Sequence, residues 1–392
     1  MAKEAASRTG TIPPSLITVA NEWVRAYRAV NLASGFPEFP VEESIKEKVR
    51  ELVTGDINQY SLVAGALSLR DALAEKLSAF NGIKADAGKE ITITCGTAEA
   101  LFIALFSLVN PGDEVIIFEP SFESYVPDVI MAGGVPRLVR LTPPSWDMDR
   151  ARLKSLFNNR TKAVIVNTPH NPTGKVFTRD ELLFIGELCA RWGAFVITDE
   201  IYEYITYEGN RHVSMASLPG MGELTVTTGG LGKTFNCTGW RLGYAVAPES
   251  ITASMRKVHT YVTVCAPSPL QEAGAHALKL PESYIENLRL LYHRHRDLLC
   301  TVLAGAGFIP FKPQGAYYVM ADFTPLGFHD DMECAHYLAK EIGVGAVPER
   351  AFCAEGSPSG TTLRFCFCKK EETLMKAGER LKKLAEGRRG GI

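Results

Sequence analysis

Short apolar segments alternate with amphipathic segments along the chain from about residue 90 onward. Seven of the apolar segments have the length and composition of strands: Glu90–Thr94, Glu114–Phe118, Pro136–Leu141, Ala163–Asn167, Phe195–Asp199, Thr225–Thr228 and Leu242–Ala247. Three segments have the apolar spacing of helices: Ala98–Val109, Thr178–Arg191 and Glu249–Tyr261. Strands that are joined by helices indicate a mostly parallel sheet covered on both faces. The pattern therefore predicts an α/β domain.

A second pattern begins near residue 281 and contains fewer strands. It predicts a helix, a strand, a helix, a strand and a helix, at Pro281–Ala304, Tyr317–Phe323, Met332–Ile342, Leu363–Phe367 and Glu371–Leu384. This order indicates a smaller α+β domain. The first 40 residues are irregular and rich in proline, so we expect residues 1–40 to join the small domain. Residues 41–285 would then form the large domain and residues 286–392 the small one.

Composition excludes several classes of partner. The 392 residues are 46% hydrophobic and 22% charged, with a formal net charge of −2, which gives no reason to expect nucleic-acid or membrane binding. No apolar leader opens the chain, and no run reaches the roughly 18 apolar residues that a membrane span needs. Nine cysteines without a CxxC pair fit a reducing cytoplasm, and Cys366 and Cys368 have no further ligand at metal-binding spacing. We expect a cytoplasmic protein without a bound metal.

The segment Thr227–Tyr244 carries the most specific chemistry. Lys233 follows a predicted strand and is bracketed by glycines, which let the backbone bend tightly around a ligand. Arg241, eight residues later, suits bidentate contact with a phosphate. A P-loop is excluded, because the glycines before Lys233 do not have the GxxxxGK[ST] spacing.

Three further loops follow predicted strands, where α/β sheets place their ligands. Asn167–Gly174 contains two prolines and a glycine, as a turn at a strand end requires. Asp199 ends an apolar strand, and a buried carboxylate there needs a cation or a hydrogen-bond donor. The alternative role for Asp199 is to cap the helix that follows. Thr94–Ala98 joins a strand to a helix start, which is a natural phosphate site. Together these signals indicate a ligand that carries a phosphate.

The chain resembles a known family over nearly its whole length. The motifs, in the family's order and spacing, are Asn171–Gly174, Asp199–Tyr202, Lys233–Phe235 and Gly239–Gly243. They resemble those of fold-type I pyridoxal-phosphate enzymes, specifically the class I/II aminotransferases. Gly35–Pro40, Glu119–Tyr125 and Leu363–Phe367 are most similar to the kynurenine/glutamine aminotransferase branch. The resemblance implies a large domain with a mostly parallel seven-stranded sheet, a smaller α+β domain, and pyridoxal 5′-phosphate as the cofactor.

The resemblance also implies catalytic roles. Lys233 would hold the cofactor as a Schiff base and afterwards act as a base, for which its pKa should be lowered by neighbouring cations. Asp199 would keep the pyridine nitrogen protonated, so that the ring can accept electrons. Asn171 and Tyr202 would donate hydrogen bonds to the phenolic oxygen of the ring. Phe122 would stack on the ring, with Tyr125 as the neighbouring alternative.

Phosphate and substrate contacts follow from the same resemblance. The residues expected around the phosphate are Gly96, Thr97, Ala98 and Arg241. Tyr60 would reach the phosphate of a second subunit, which implies a homodimer with shared active sites. Arg364 would bind the substrate α-carboxylate in a bidentate fork, with the Gly35 backbone nearby.

One position departs from the family's pattern. The family usually has a serine three residues before the lysine, and this chain has Gly230 there. One phosphate donor is therefore missing unless Thr228 or a water replaces it, and we expect weaker retention of the cofactor.

The main hypothesis for the function is the transfer of an amino group from an amino acid to a 2-oxo acid by a ping-pong mechanism. A β-eliminating C–S lyase is the alternative, because it would use the same lysine, aspartate and arginine. A sensor fused to a DNA-binding module would need a basic extension before the motifs, and none is present in the sequence.

No second arginine can be placed opposite Arg364, so strict specificity for dicarboxylate donors is not expected. A pocket lined by Tyr60, Phe122, Tyr125, Leu16 and Ile17 should suit large neutral or aromatic donors, or glutamine and methionine.

Overall fold

Fourteen strands and thirteen α-helices make up the part of the chain that the computed structural model describes, residues 6–357 and 360–387. The strands are β1 Val30–Asn31, β2 Ile91–Cys95, β3 Glu114–Glu119, β4 Val135–Thr142, β5 Asp147–Met148, β6 Thr161–Asn167, β7 Phe195–Asp199, β8 Thr225–Gly230, β9 Leu242–Val246, β10 Ile309–Phe311, β11 Tyr318–Asp322, β12 Val344–Gly345, β13 Val347–Pro348 and β14 Thr362–Cys366. The helices are α1 Ser7–Gly10, α2 Leu16–Ala26, α3 Glu43–Thr54, α4 Leu67–Lys76, α5 Thr97–Leu108, α6 Tyr125–Met131, α7 Arg150–Leu156, α8 Arg179–Trp192, α9 Glu249–Val262, α10 Ser268–Ala277, α11 Glu282–Gly305, α12 Asp331–Tyr337 and α13 Glu371–Gly387.

The large sheet has the strand order β2–β9–β8–β7–β6–β3–β4–β5. The neighbours from β8 to β4 pair in parallel, whereas β9 pairs antiparallel with both β2 and β8. All seven strands predicted from the sequence are present. The structure adds β5, which pairs antiparallel with the end of β4 and has two residues, too few to produce a periodic pattern.

Helices cover both faces of this sheet, as the continuous apolar strands predict. Along β3, Ile116 and Phe118 pack in a core with α8, while Val115 and Ile117 pack on the opposite face with α5. The limits of α8 follow from its sequence. The side chains of Thr178 and Glu181 form a capping box at its start, and Gly193, with φ of 65°, ends it.

The smaller sheet has the order β10–β11–β14–β13 and is antiparallel throughout. Its core is shared with α11 and α13. The N-terminal strand β1 pairs in parallel with β12, so the start of the chain lies against this C-terminal part. The domain limits at residues 40 and 285 stay a prediction.

The sheet geometry brings distant loops together. β6, β7 and β8 are parallel neighbours, so the segments that follow them emerge at one edge. The smaller sheet brings β14 to the same place, since Arg364 on β14 contacts Asn171 in the loop after β6. No helix among the described residues is long and apolar enough to cross a lipid bilayer.

Candidate active site

A cavity of about 250 Å³ lies where the loops after the large sheet meet β11 and β14. Except for Tyr60, every residue predicted to act in catalysis, to bind the cofactor or to bind the substrate carboxylate lines it: Gly35, Gly96, Thr97, Ala98, Phe122, Asn171, Asp199, Tyr202, Lys233, Arg241 and Arg364. Tyr60 is 83% exposed and lies outside the cavity wall. Of the five residues expected to line the pocket for the donor side chain, Ile17 and Phe122 line this cavity, whereas Tyr60, Tyr125 and Leu16 do not.

Lys233 follows β8 and extends toward the N-terminal part of the chain. Its Nζ donates a hydrogen bond to the carbonyl oxygen of Gly35 at 2.8 Å. Burial lowers the pKa of Lys233 to about 8, and the positive charges of Arg364 and Arg241 act in the same direction. A neutral amine is a nucleophile and a base, so this environment favours the reactive form of the lysine.

Asp199 ends β7 and is 5% exposed. Its Oδ2 accepts a hydrogen bond from the Tyr125 hydroxyl at 2.7 Å, and its Oδ1 accepts one from the Ile201 backbone N–H at 3.2 Å. Burial raises the pKa of Asp199 to about 6, although both hydrogen bonds oppose that shift. The carboxylate of Asp199 therefore accepts a hydrogen bond from the backbone of the turn that follows β7. It also faces the cavity, where a cationic ring nitrogen would stabilise it.

Tyr202 and Tyr318 are joined by a hydrogen bond of 3.0 Å between their hydroxyls. Burial raises the pKa of both phenols, that of Tyr318 to about 12. Both phenols therefore keep their protons at neutral pH and can donate hydrogen bonds. Tyr318 lies on β11 and lines the cavity, but no motif in the sequence marked it.

The turn between β2 and α5 requires glycine. Gly96 has φ of 82°, and a Cβ there would lie 2.6 Å from Nη2 of Arg241. Arg241 itself has φ of 54° and donates from Nη1 to the carbonyl oxygen of Thr238 at 3.1 Å. A guanidinium thus lies directly beside the first backbone N–H groups of α5, which are free to bind an anion.

Arg364 is 1% exposed on β14. Its Nη1 donates to Oδ1 of Asn171 at 2.9 Å, and its Nη2 donates to the carbonyl oxygen of Ala33 at 3.0 Å. The Nε of Arg364 has no hydrogen-bond partner among the described residues. A buried donor left unpaired costs about 1–3 kcal/mol, so this N–H is suited to an acceptor supplied by a ligand.

Phe122 is the aromatic residue of its pair that faces the cavity. It packs edge-on against Tyr125, with ring centroids 5.7 Å apart. Tyr125 is 2% exposed, and its hydroxyl is bound to Asp199. The stacking position predicted for either ring is therefore available to Phe122, and Tyr125 acts through the carboxylate.

Comparison with known proteins agrees with this geometry. The family model described as aminotransferase class I and II matches residues 27–381. The chain belongs to the class I and II aminotransferases. The resemblance stated from the motifs is confirmed, as are its fold type and its dependence on pyridoxal phosphate.

Individual relatives of this aminotransferase cover nearly its full length. The methionine aminotransferase of Escherichia coli (strain K12) is 36% identical, over 96% of this chain and 98% of its own. The kynurenine–oxoglutarate transaminase of Dictyostelium discoideum is 36% identical, over 96% of this chain and 95% of its own. The structure of N-succinyldiaminopimelate aminotransferase from Mycobacterium tuberculosis superposes with a TM-score of 0.95 at 34% identity, covering 97% of this chain and 100% of that one.

The residues of the aminotransferase fit pyridoxal phosphate on chemical grounds. The cavity offers an amine with a lowered pKa in Lys233, a buried carboxylate in Asp199 and a guanidinium beside a helix N-terminus in Arg241. These groups match an aldehyde, a pyridine nitrogen and a phosphate, respectively. The unpaired Nε of Arg364 is a further hydrogen-bond donor, and it suits a carboxylate of the substrate.

Thr228 does not replace the missing serine. The Thr228 hydroxyl is fully buried and donates to the carbonyl oxygen of Thr198 at 2.7 Å, so it cannot reach a phosphate. At Gly230 itself, an added Cβ would lie 2.7 Å from Oγ1 of Thr97. The hydroxyl of Thr97 occupies the space that a serine side chain would need.

Proposed function

We propose that this aminotransferase moves the α-amino group of a large neutral or aromatic amino acid, or of glutamine or methionine, to a 2-oxo acid. The observation that carries the proposal is that Lys233, Asp199 and Arg364 line one cavity. In it an amine, a carboxylate and a guanidinium face the same space. The cycle is ping-pong, because one cavity of this size would hold the donor and the acceptor in turn.

Pyridoxal phosphate, when bound, supplies an electron-accepting ring for the substrate α-carbon. Lys233 holds the cofactor through its Nζ and, once released, removes the proton from the α-carbon of the donor. Asp199 keeps a proton on the ring nitrogen, and Tyr202 and Asn171 donate to the phenolic oxygen. Each of these residues lines the cavity.

The remaining residues bind and orient. Thr97 and Ala98 give their backbone N–H groups to the phosphate, beside the guanidinium of Arg241. Gly96 forms the turn that places them, and its own N–H donates to the carbonyl oxygen of Thr94. Phe122 stacks on the ring. Substrate carboxylate binds to Arg364, with the Gly35 backbone alongside. Support comes from the φ of 82° at Gly96 and from the unpaired Nε of Arg364.

The donor class rests on charge. Among the described residues that line the cavity, the arginines are Arg241 and Arg364, and both are assigned to anionic groups of the cofactor and the donor. A second carboxylate on the donor would therefore lack a cation. Relatives named for methionine and kynurenine are consistent with a neutral or aromatic donor.

The proposed enzyme is a cytoplasmic homodimer with shared active sites. Tyr60 is 83% exposed and Leu62 is 67% exposed, which is unusual for such side chains. The neighbouring segment also exposes Tyr261, which is 91% accessible. The two segments meet, because the Ser268 hydroxyl donates to the carbonyl oxygen of Gln59 at 2.6 Å. A second subunit covering this surface would bring Tyr60 to the partner's phosphate.

The test of the function is the absorbance spectrum of the purified protein with cofactor and single amino acids, without any oxo acid. Loss of the yellow band and growth of the pyridoxamine band would report the first half of the cycle, and the fastest amino acid names the donor class. Lys233→Ala is the control, which should bind cofactor but show no growth of the pyridoxamine band. Pyruvate and ammonia released from cysteine conjugates with a stable yellow band would favour the lyase instead. No yellow band in the unchanged protein would refute the role of Lys233.

A further inference from the structure

A second cavity, of about 840 Å³, lies beside the first. Its walls are the N-terminal segment Thr11–Leu16, the region around α6, and the loop Arg350–Ser357. Glu123 lines both cavities. The two cavities are therefore adjacent and share the side chain of Glu123 in their walls.

Glu123 is held in place by the N-terminal segment. Its Oε2 accepts a hydrogen bond from the Ser15 hydroxyl at 2.8 Å, and the backbone N–H of Ile17 also donates to the carboxylate. Burial raises the pKa of Glu123, while these bonds and the nearby charge of Arg364 lower it. The carboxylate thus lies between the start of α2 and the arginine proposed to bind the donor.

Volume shows why the second cavity matters. Sites for drug-sized ligands have volumes of roughly 300–1,000 Å³. The first cavity, at about 250 Å³, is below that range, yet it must take both the cofactor and an amino acid. Ile17 lines the first cavity and Leu16 the second, so the start of α2 and Glu123 lie between the two.

We propose that the side chain of the amino donor extends past Glu123 into the second cavity, which selects long, neutral side chains that carry an N–H group. This inference rests on the proposed function, and it names the subsite that sets the donor. The apolar wall of Pro13, Val126, Ile130 and Phe352 suits aliphatic or aromatic atoms. The carboxylate of Glu123 accepts a hydrogen bond from an amide or an aromatic amine and repels a terminal carboxylate.

The first experiment narrows the second cavity with Val126→Phe. The measured quantity is the ratio of kcat/KM for methionine to kcat/KM for alanine, since alanine is too short to pass Glu123. The expected result is at least a tenfold fall in this ratio. Val53→Phe, on an exposed position of α3 outside both cavities, is the matched control and should leave the ratio unchanged.

The second experiment reads the charge of Glu123 with glutamine and glutamate, which have equal length. Glu123→Gln should lower the preference for glutamine over glutamate by about tenfold. Ser15→Ala removes the hydrogen bond from Ser15 to Glu123 but keeps the charge of Glu123, so it should retain the preference. If Ser15→Ala changes the preference as much as Glu123→Gln does, the effect comes from the position of α2 and the proposed role of Glu123 is wrong.

Different results would disprove the proposed function and the role of the second cavity. If no large neutral or aromatic amino acid, glutamine or methionine changes the spectrum of the unchanged holoenzyme, the proposed function is wrong. If both amino acids react but Val126→Phe reduces kcat/KM for them equally, or for neither, the donor side chain does not enter the second cavity and this inference is overturned.

Discussion

Thr97 and Gly230 are matched to each other: the hydroxyl of Thr97 lies 2.7 Å from the point where a Cβ at position 230 would be. That hydroxyl donates to the carbonyl oxygen of Gly229 at 2.8 Å, and the same Cβ would lie 2.9 Å from the carbonyl oxygen of Leu242. A serine at position 230 and a threonine at position 97 therefore compete for one space. The space that the family's serine would need is therefore filled in this chain by the hydroxyl of Thr97.

Restoring the serine alone should harm the protein. Gly230→Ser would crowd Thr97 and the Leu242 carbonyl, and overpacking of this kind costs about 1–3 kcal/mol. We expect a lower free energy of unfolding in chemical denaturation and faster loss of cofactor on dialysis. The double variant Thr97→Ala with Gly230→Ser should recover part of both losses. Additive effects of the two substitutions would show that the residues do not compete.

The lowered pKa of Lys233 predicts the pH dependence of cofactor attachment. Attachment needs the neutral amine, and burial brings the pKa to about 8, so the neutral fraction rises through that pH. In cofactor-free protein, the rate at which added pyridoxal phosphate becomes fixed to Lys233 in the presence of a mild reductant should reach half its maximum near pH 8. Peptide mass mapping locates the attachment. A half-maximum above pH 10 would contradict the environment described for this lysine.

The hydrogen bond from Tyr125 to Asp199 predicts a shift of the acid limb of activity. The ionised carboxylate is present above its pKa of about 6 and is lost as the pH falls through that value. Tyr125→Phe removes a contact that lowers this pKa, so the acid limb of the half-reaction rate should move to higher pH. Tyr207→Phe is the control, because the Tyr207 hydroxyl donates to the carbonyl oxygen of Ala316, away from the cavity. Identical profiles for the two variants would refute the role of Tyr125.

Arg364→Lys tests whether the substrate needs a planar fork. Lysine keeps the charge but loses the paired donors, and a hydrogen bond to a charged group contributes about 1.5–3 kcal/mol. We expect the dissociation constant for the amino donor, from spectral titration, to rise roughly tenfold to hundredfold. The midpoint of thermal unfolding serves as the check that the fold persists. An unchanged dissociation constant would assign Arg364 a structural role through Asn171 and Ala33.

Local signals in the sequence were sufficient for the strands and for most of the cavity wall. All seven predicted strands are present, because a buried strand must be apolar on both faces whatever surrounds it. Lys233, Asp199 and Asn171 lie together because each follows a strand, and neighbouring parallel strands deliver such residues to one edge.

The contacts between these segments were decided only by the tertiary structure. Tyr125 was marked only as an alternative for stacking on the ring, and Tyr318 lies in no motif. Their hydroxyls nevertheless form hydrogen bonds with Asp199 and Tyr202, respectively. Glu123 gains its position from Ser15, which is 108 residues away in sequence. Such pairs depend on distances between separate elements, and a single sequence records the residue types but not those distances. The sequence by itself determined the family, the strands and the reacting groups, and the tertiary structure decided which neighbours orient those groups and where a donor side chain has room.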